Sequence, residues 1–454
     1  MVARREATPT VPSDGESVAT KLRRIAEKAR KESTFKFTSL YHLMNEELLR
    51  ECYGRLRKDA AAGIDNVTKA EYAENLDANL LNLTDRLHKM AYRPQPVRRK
   101  YIPKPGSAKQ RPLGIPCFED KLVQAGLVRI LEAVFEQDFI DDSYGFRPGR
   151  SCHGALRALS CTVEGKPINH IVEADIKGFF DNVNQEWLMK FLEHRISDKR
   201  ILRMVKRFLK AGVYEDGTIT VSDEGTPQGG VISPLLANIY LHYALDLWFE
   251  KVVRKSCTGV ARLIRYADDF VVCFQRETDA VKFRRDLGDR LGKFGLEVEP
   301  TKTRVLKFGK YAVQNAKAKS ERPETFDFLG FTHYCGTRRD GTGFRMKRTT
   351  ARKKFTAKVK AFKDWLKSAR TQKTADLWRT AKAKLRGHFA YYGVTDNLSG
   401  IKRFAAEVEN LLIKWLNRRG RRGCLNWEEF SEMLERFPLP KPRIKVSMFQ
   451  VSVN

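Results

Sequence analysis

Apolar residues recur along this chain with two periods, and the switches between them outline its elements. In Ser17–Glu32, SVATKLRRIAEKARKE, Val18, Leu22, Ile25 and Ala29 return every three or four residues with basic residues between them. That spacing predicts a short, basic amphipathic helix, lying either on nucleic acid or simply on the protein surface. From Thr38 to Arg93 the period stays helical with one break, Ala61-Ala62-Gly63-Ile64-Asp65-Asn66. Residues 92–105, YRPQPVRRKYIPKP, alternate and carry prolines, which predicts extended chain. Lys121–Phe139 predicts a helix with Leu122, Ala125, Val128, Leu131 and Phe135 on one face. Ile168–Ile176 reads as a buried strand, and Trp187–Ala211 and Pro234–Trp248 as helices. Arg262–Phe274, RLIRYADDFVVCF, is two apolar runs around a tight polar turn, hence a β-hairpin. A helix over Asp279–Phe294 and strands over Leu296–Leu306 and Phe326–Phe331 follow. Beyond Met346 the pattern is helical and basic, with Gly387, Gly393, Gly400, Gly420 and Gly423 as candidate helix ends.

Composition narrows the class. The chain has 454 residues, 42% of them hydrophobic, enough for a packed core and too many for wholesale disorder. Its length fits two to four compact units. No run of about 18 apolar residues predicts a membrane span, and Met1–Ser17 lacks the apolar stretch of a secretory signal. The eight cysteines form no CxxC pair, so a reducing, cytoplasmic setting is expected rather than a disulfide framework or zinc ribbon. Lys and Arg number 85 against 55 Asp and Glu, a net charge of +30. A polyanion is the expected partner, because cations on phosphates release condensed counterions. The charge is uneven: Arg338–Asn454 holds 29 Lys and Arg against 10 Asp and Glu, which is +19 of the +30.

The candidate chemistry starts at Tyr266-Ala267-Asp268-Asp269. Adjacent carboxylates between apolar strands repel each other and resist burial, and a bound divalent cation would relieve both costs. The plain alternative is a polar turn using Asp for its turn propensity. Asp175 ends the predicted strand Ile168–Ile176, in VEADIKGFFDNV. A strand-end Asp beside an Asp-Asp hairpin is the arrangement that two-metal phosphoryl transfer needs, with two Mg²⁺ ions, or Mn²⁺ in their place, held by carboxylates from separate strands.

Around these residues the chain resembles the reverse transcriptases and maturases encoded by group II introns. The resemblance runs through GIDNVT (63–68), YRPQPVRRKYIPKPGSAKQRPLGIP (92–116), SYGFRPGRSCHGAL (143–156) and ADIKGFFDNV (174–183). It continues through GTPQGGVISPLLANIYL (225–241), RYADDFVV (265–272), GLEVEPTKTRV (295–305) and FDFLGF (326–331), and more weakly through KLRGHFAYYGV (384–394). It implies an α+β right-hand polymerase: a basic N-terminal extension over 1–35, fingers and palm over 36–335, and a basic helical thumb with an X-like maturase domain over 336–454. By the same resemblance Asp175 and Asp268 hold both metals, Asp269 supports them, and the carbonyl of Ile176 completes one coordination shell. Phe180 stands where an aromatic gate packs on C2′ of a deoxynucleotide, or it is ordinary core beside Phe179. Lys104 and Arg111 grip the incoming triphosphate, though a solvated basic turn would read the same way. Gln228 reaches the nucleotide or the minor groove, and Lys302 protonates or neutralises the leaving pyrophosphate. Trp365, Trp378, Phe389, Tyr391, Tyr392 and Trp415 either stack on bases or fill the core of a helical thumb, and Trp365 and Trp378 fit the core better. Arg418, Arg419, Arg421 and Arg422 are expected RNA phosphate contacts.

The implied partners are template and intron RNA, a DNA primer or target, and dNTPs. The implied activity is RNA-directed DNA synthesis with help to splicing and target-primed mobility. Clustered Cys and His of an HNH-type endonuclease do not occur, so cleavage of a second target strand is not expected. Two rivals stay open at this stage: a domesticated relative serving DNA repair or phage defence, and a non-catalytic RNA-binding splicing factor, against which Asp175, Asp268 and Asp269 argue.

Overall fold

The computed structural model describes residues 16–103, 110–221, 224–225, 229–318, 321–338, 340–419 and 424–449. They form a mixed α/β structure with strands β1 (Val97–Pro103), β2 (Gln110–Ile115), β3 (His170–Ala174), β4 (Val213–Glu215), β5 (Thr218–Thr220), β6 (Ala261–Tyr266), β7 (Asp269–Phe274), β8 (Arg304–Lys307), β9 (Phe326–Phe328), β10 (Phe331–Thr337) and β11 (Phe344–Thr350). The sheet orders are β2-β1-β4-β5, β6-β7-β3-β8 and β11-β10-β9. Two compact units interleave along the sequence. One takes residues up to Lys100 with Leu113–Phe139 and Asn184–Tyr240; the other takes Tyr101–Pro112, Ile140–Val183 and the chain from Leu241 onward.

The first unit is built around the helix Phe118–Phe135. Of the predicted stripe, Leu122, Leu131 and Phe135 are fully buried and Ala125 and Val128 partly so; Val123, Leu127, Ile130 and Val134 are fully buried as well, because the helix is covered on most sides. Helices Val18–Lys31 and Glu46–Arg55 pack on it. Val18, Leu22 and Ala29 turn inward, and the basic residues Arg23, Arg24, Lys28 and Lys31 stay exposed. The buried Arg195 guanidinium donates to the Ala29 and Glu32 carbonyls at 3.0 and 3.1 Å, satisfying acceptors that the helix end leaves open. The helix expected over Trp187–Ala211 is two, Gln185–Glu193 and Lys199–Leu209. Asp198 breaks it: its carboxylate caps Arg200 and Ile201 and also accepts from the Leu40 and Tyr41 N–H groups at 2.7 and 2.8 Å.

In the second unit β3 is central, antiparallel to β7 on one side and to β8 on the other, with Val172 opposite Val272 and Val305. Only Arg304–Lys307 of the strand expected over Leu296–Leu306 is regular, because Pro300 opens a 3₁₀ turn through Lys302. Phe326–Phe331 is two strands with a turn at Leu329-Gly330. The chain around Met346 is the strand β11, whose alternating FRMKRTT pairs with β10 along its whole length. Helices Arg352–Ala369, Thr374–Tyr392 and Leu398–Leu416 follow. Gly387 and Gly400 lie inside helices, whereas Gly393 does end one. Ile171, Ile264, Val271, Phe331, Met346, Phe362, Trp378, Phe389, Tyr392, Val408 and Trp415 belong to one continuous apolar core. Phe389, Tyr392 and Trp415 are therefore packing residues like Trp378, and Tyr391 alone among the six ring residues considered is exposed.

Candidate active site

The site forms where β3 ends beside the β6–β7 turn. Tyr266 pairs with Asp269, so Ala267 and Asp268 make a two-residue loop. Such a loop needs positive φ, normally taken by Gly or Asn, yet here Ala267 adopts φ 57°. A conformation of that kind costs about 1–3 kcal/mol and persists only when its surroundings over-determine it. Three features do so. Arg265 Nη1 donates to the Ala267 carbonyl at 2.9 Å. Segment 142–145 runs along β6, with Arg265 N–H donating to the Asp142 carbonyl and Tyr144 N–H to the Arg265 carbonyl at 2.9 and 2.8 Å. Gly145 touches the turn, and a Cβ there would overlap the Ala267 nitrogen.

Arg265 is fully buried in a fork with Asp246, at 2.7 and 2.5 Å, and also donates to Ser143 Oγ at 2.8 Å. Asp246 lies in a π-helical turn, His242–Asp246, that continues the helix Ser233–Leu241. An extra residue per turn is a device often found at functional sites, and here it brings the carboxylate under the turn. Removing either partner would strand a buried charge.

Past Ala174, β3 continues for two residues toward the site. Glu299 N–H donates to the Asp175 carbonyl at 2.8 Å and Lys177 N–H to the Glu297 carbonyl at 2.9 Å, with Ile176 bridging Val298 between them. In that register the Ile176 peptide faces away from Val298. Lys302 Nζ pairs directly with the Asp175 carboxylate, a contact that raises the lysine's pKa. Burial raises Asp268, Asp175 raises it further, and Arg111 and Arg265 pull it down. Asp269 is pushed up to about 7, first by burial and then by the charge of Asp268, while the nearby Leu329 N–H acts in the opposite direction.

Asp268 and Asp269 are thus raised by burial and by neighbouring carboxylate charge, that of Asp175 included. That is a fit for divalent cations, which reverse this kind of shift. No group of three or more His, Cys, Asp or Glu among the described residues is disposed to hold a metal ion by itself. Mg²⁺ seldom takes an all-protein cage, and one or two carboxylates completed by substrate phosphates and water suit it.

Phe180 follows the left-handed Gly178 in a 3₁₀ turn, Phe179–Asp181. Phe179 is the buried ring at 2% exposure, and Phe180 packs edge-on against it at 5.3 Å with one side open. Arg111, on β2, is exposed. Arg418 is exposed with its guanidinium over the Trp415 ring, and Arg419 donates to Thr374 Oγ1 at 3.0 Å. Lys104, Gln228, Arg421 and Arg422 lie outside the described residues.

The sequence reading passed over Arg265, Asp246, Ser143, Gly145 and the Leu329-Gly330 turn. An arginine inside the apolar run RLIRY was the available signal for the first, since such a residue demands a buried partner. Beside the carboxylates, Asp269, Leu329, Gly330, Lys354, Lys358, Lys384, His388 and Tyr391 line a cavity of about 730 Å³. No helix among the described residues is long and apolar enough to cross a membrane.

Residues 102–333 match the family model for reverse transcriptase (RNA-dependent DNA polymerase), about half of the chain. Group II intron-encoded protein LtrA of Lactococcus lactis is 39% identical over 222 residues, which are 49% of this chain and 37% of that protein. Protein YkfC of Escherichia coli is 36% identical over 273 residues, covering 54% of this chain and 71% of YkfC. Nuclear intron maturase 2 of Arabidopsis thaliana is 25% identical over 177 residues, 30% of this chain and 24% of that protein. The chain belongs to the reverse transcriptase family, on the branch of group II intron-encoded reverse transcriptases and maturases.

Proposed function

We propose that the chain is an RNA-directed DNA polymerase that adds dNTPs to a primer 3′-OH and releases pyrophosphate. The observation that carries this reading is the meeting of a strand-end Asp175 with the Asp268-Asp269 turn on one antiparallel sheet, held by the buried Arg265–Asp246 pair. In this reading the sheet β6-β7-β3-β8 is the palm, the segments before it supply the fingers, and the basic helices from Arg352 onward form the thumb and maturase region. Asp175 and Asp268 would hold two Mg²⁺ ions, with Asp269 and the Ile176 carbonyl in support. When bound, the ions would lower the pKa of the primer hydroxyl and steady the leaving oxygens. Arg111 would take the triphosphate, and Lys302, already drawn to Asp175, would stay near the reacting phosphates. The net +30 charge and the intron-encoded relatives support binding of intron RNA, splicing assistance and target-primed mobility as further roles.

Phe180 would set sugar choice, because Phe179 already fills the core position of that turn. Single-nucleotide incorporation opposite an RNA template, with matched dNTP and rNTP, tests reaction and gate together. The wild type should strongly prefer the dNTP. Phe180→Val should lower the dNTP-to-rNTP ratio by about tenfold or more, with some general loss of rate. A constant ratio with a falling melting temperature would make Phe180 a packing residue, whose truncation to Ala costs about 3–5 kcal/mol.

A further inference from the structure

The turn Leu329-Gly330 holds two consecutive residues at positive φ, 48° and 78°, between the paired Phe328 and Phe331. Two-residue turns of this kind favour Asn-Gly, because a branched side chain is strained at the first position. Leu329 occupies that position, so contacts outside the turn must hold it. On one side the Gly330 carbonyl accepts from the Ala351 N–H at 3.0 Å. On the other, the Tyr391 hydroxyl donates to the Leu329 carbonyl at 3.0 Å. The tyrosine is fixed in turn. Its ring stacks on Phe331 at 6.0 Å and 14°, and its own carbonyl accepts from His153 Nε2 at 2.8 Å. Asp269, Leu329, Gly330 and Tyr391 all face the same cavity.

We propose that Tyr391 is a positioning residue for the polymerase site: its hydroxyl locks the Leu329-Gly330 turn in the strained form that stands beside Asp269 in their shared cavity. The helix Thr374–Tyr392 is thereby tied through one hydrogen bond to the turn that faces the Asp269 cavity. This rests on the polymerase reading above, and it concerns a peptide that the tyrosine touches rather than substrate.

The test is a double-mutant cycle in the full chain. Tyr391→Phe removes the hydroxyl and keeps the ring. Leu329→Asn supplies a residue that adopts positive φ unaided. Tyr391→Phe should lower kcat for dNTP addition about two- to tenfold, the worth of one hydrogen bond, with KM for dNTP and the melting temperature nearly unchanged. In the Leu329→Asn background the same change should have little further effect, since the turn no longer needs the lock. Deuterium exchange over residues 326–331 should rise in Tyr391→Phe and fall back in the double variant. Equal losses in both backgrounds, or an unchanged kcat, would overturn the assignment. Exchange at 326–331 that is indifferent to Tyr391→Phe would overturn it even if the wild type proved inactive, an outcome that by itself refutes only the polymerase reading.

Discussion

Asp268→Asn is expected to lower Mg²⁺-dependent DNA synthesis by at least about a thousandfold, because a metal ligand lost from a two-ion site removes several kcal/mol of transition-state stabilisation. Asn keeps the shape of the side chain and the turn, so affinity for primer–template should change less than about threefold. Stability should hold or rise. Burial and the charge of Asp175 raise the Asp268 pKa in the folded protein. A carboxyl with a raised folded pKa makes folding less favourable as pH climbs through that value, and Asn is free of this penalty. Steady-state primer extension together with a melting curve at neutral pH checks both halves. Full activity in Asp268→Asn would remove the hairpin from the chemistry.

The second large effect belongs to the basic surface. Lys354, Lys358 and Lys384 line the cavity beside Asp269 and are exposed. Changing all three to Gln keeps most of each stem and removes three positive charges. If they sit on phosphates, RNA affinity near physiological salt should fall about tenfold or more, and the slope of log K against log salt should flatten by about two. Filter binding across a salt series measures both quantities. An unchanged slope in a protein with unchanged melting temperature would put the nucleic acid elsewhere. This substitution is cleaner than cutting the chain at Arg338. Such a cut would delete β11 and the helical half of a core that Met346, Phe362 and Trp378 share with Ile171 and Val271.

Local periodicity made much of the sheet legible. RLIRYADDFVVCF is a hairpin because two apolar runs flank a turn that tolerates charge, and the register puts Tyr266 opposite Asp269 as that pattern requires. The strand leading to Asp175 was visible for the same reason. Tertiary partners were not legible. Asp246 looks like one polar residue in an apolar helix until a π-helical turn brings it to Arg265. The break at Asp198 depends on the distant N–H groups of Leu40 and Tyr41. FRMKRTT was read with the basic helices that follow, because its charge hid a two-residue alternation that becomes a strand only when β10 lies beside it. Tyr391 and Tyr392 are adjacent and chemically alike, yet one is held at a turn carbonyl and the other lies in the core.

The central claim is tested most directly by extending a DNA primer annealed to an RNA template with the purified full chain, four dNTPs and Mg²⁺, sampled over time. RNA-directed polymerisation predicts complementary DNA that reaches the template end, stops one base short of the first missing nucleotide when one dNTP is withheld, and ceases on addition of EDTA. A folded protein that binds the same primer–template tightly and adds no nucleotide would contradict it.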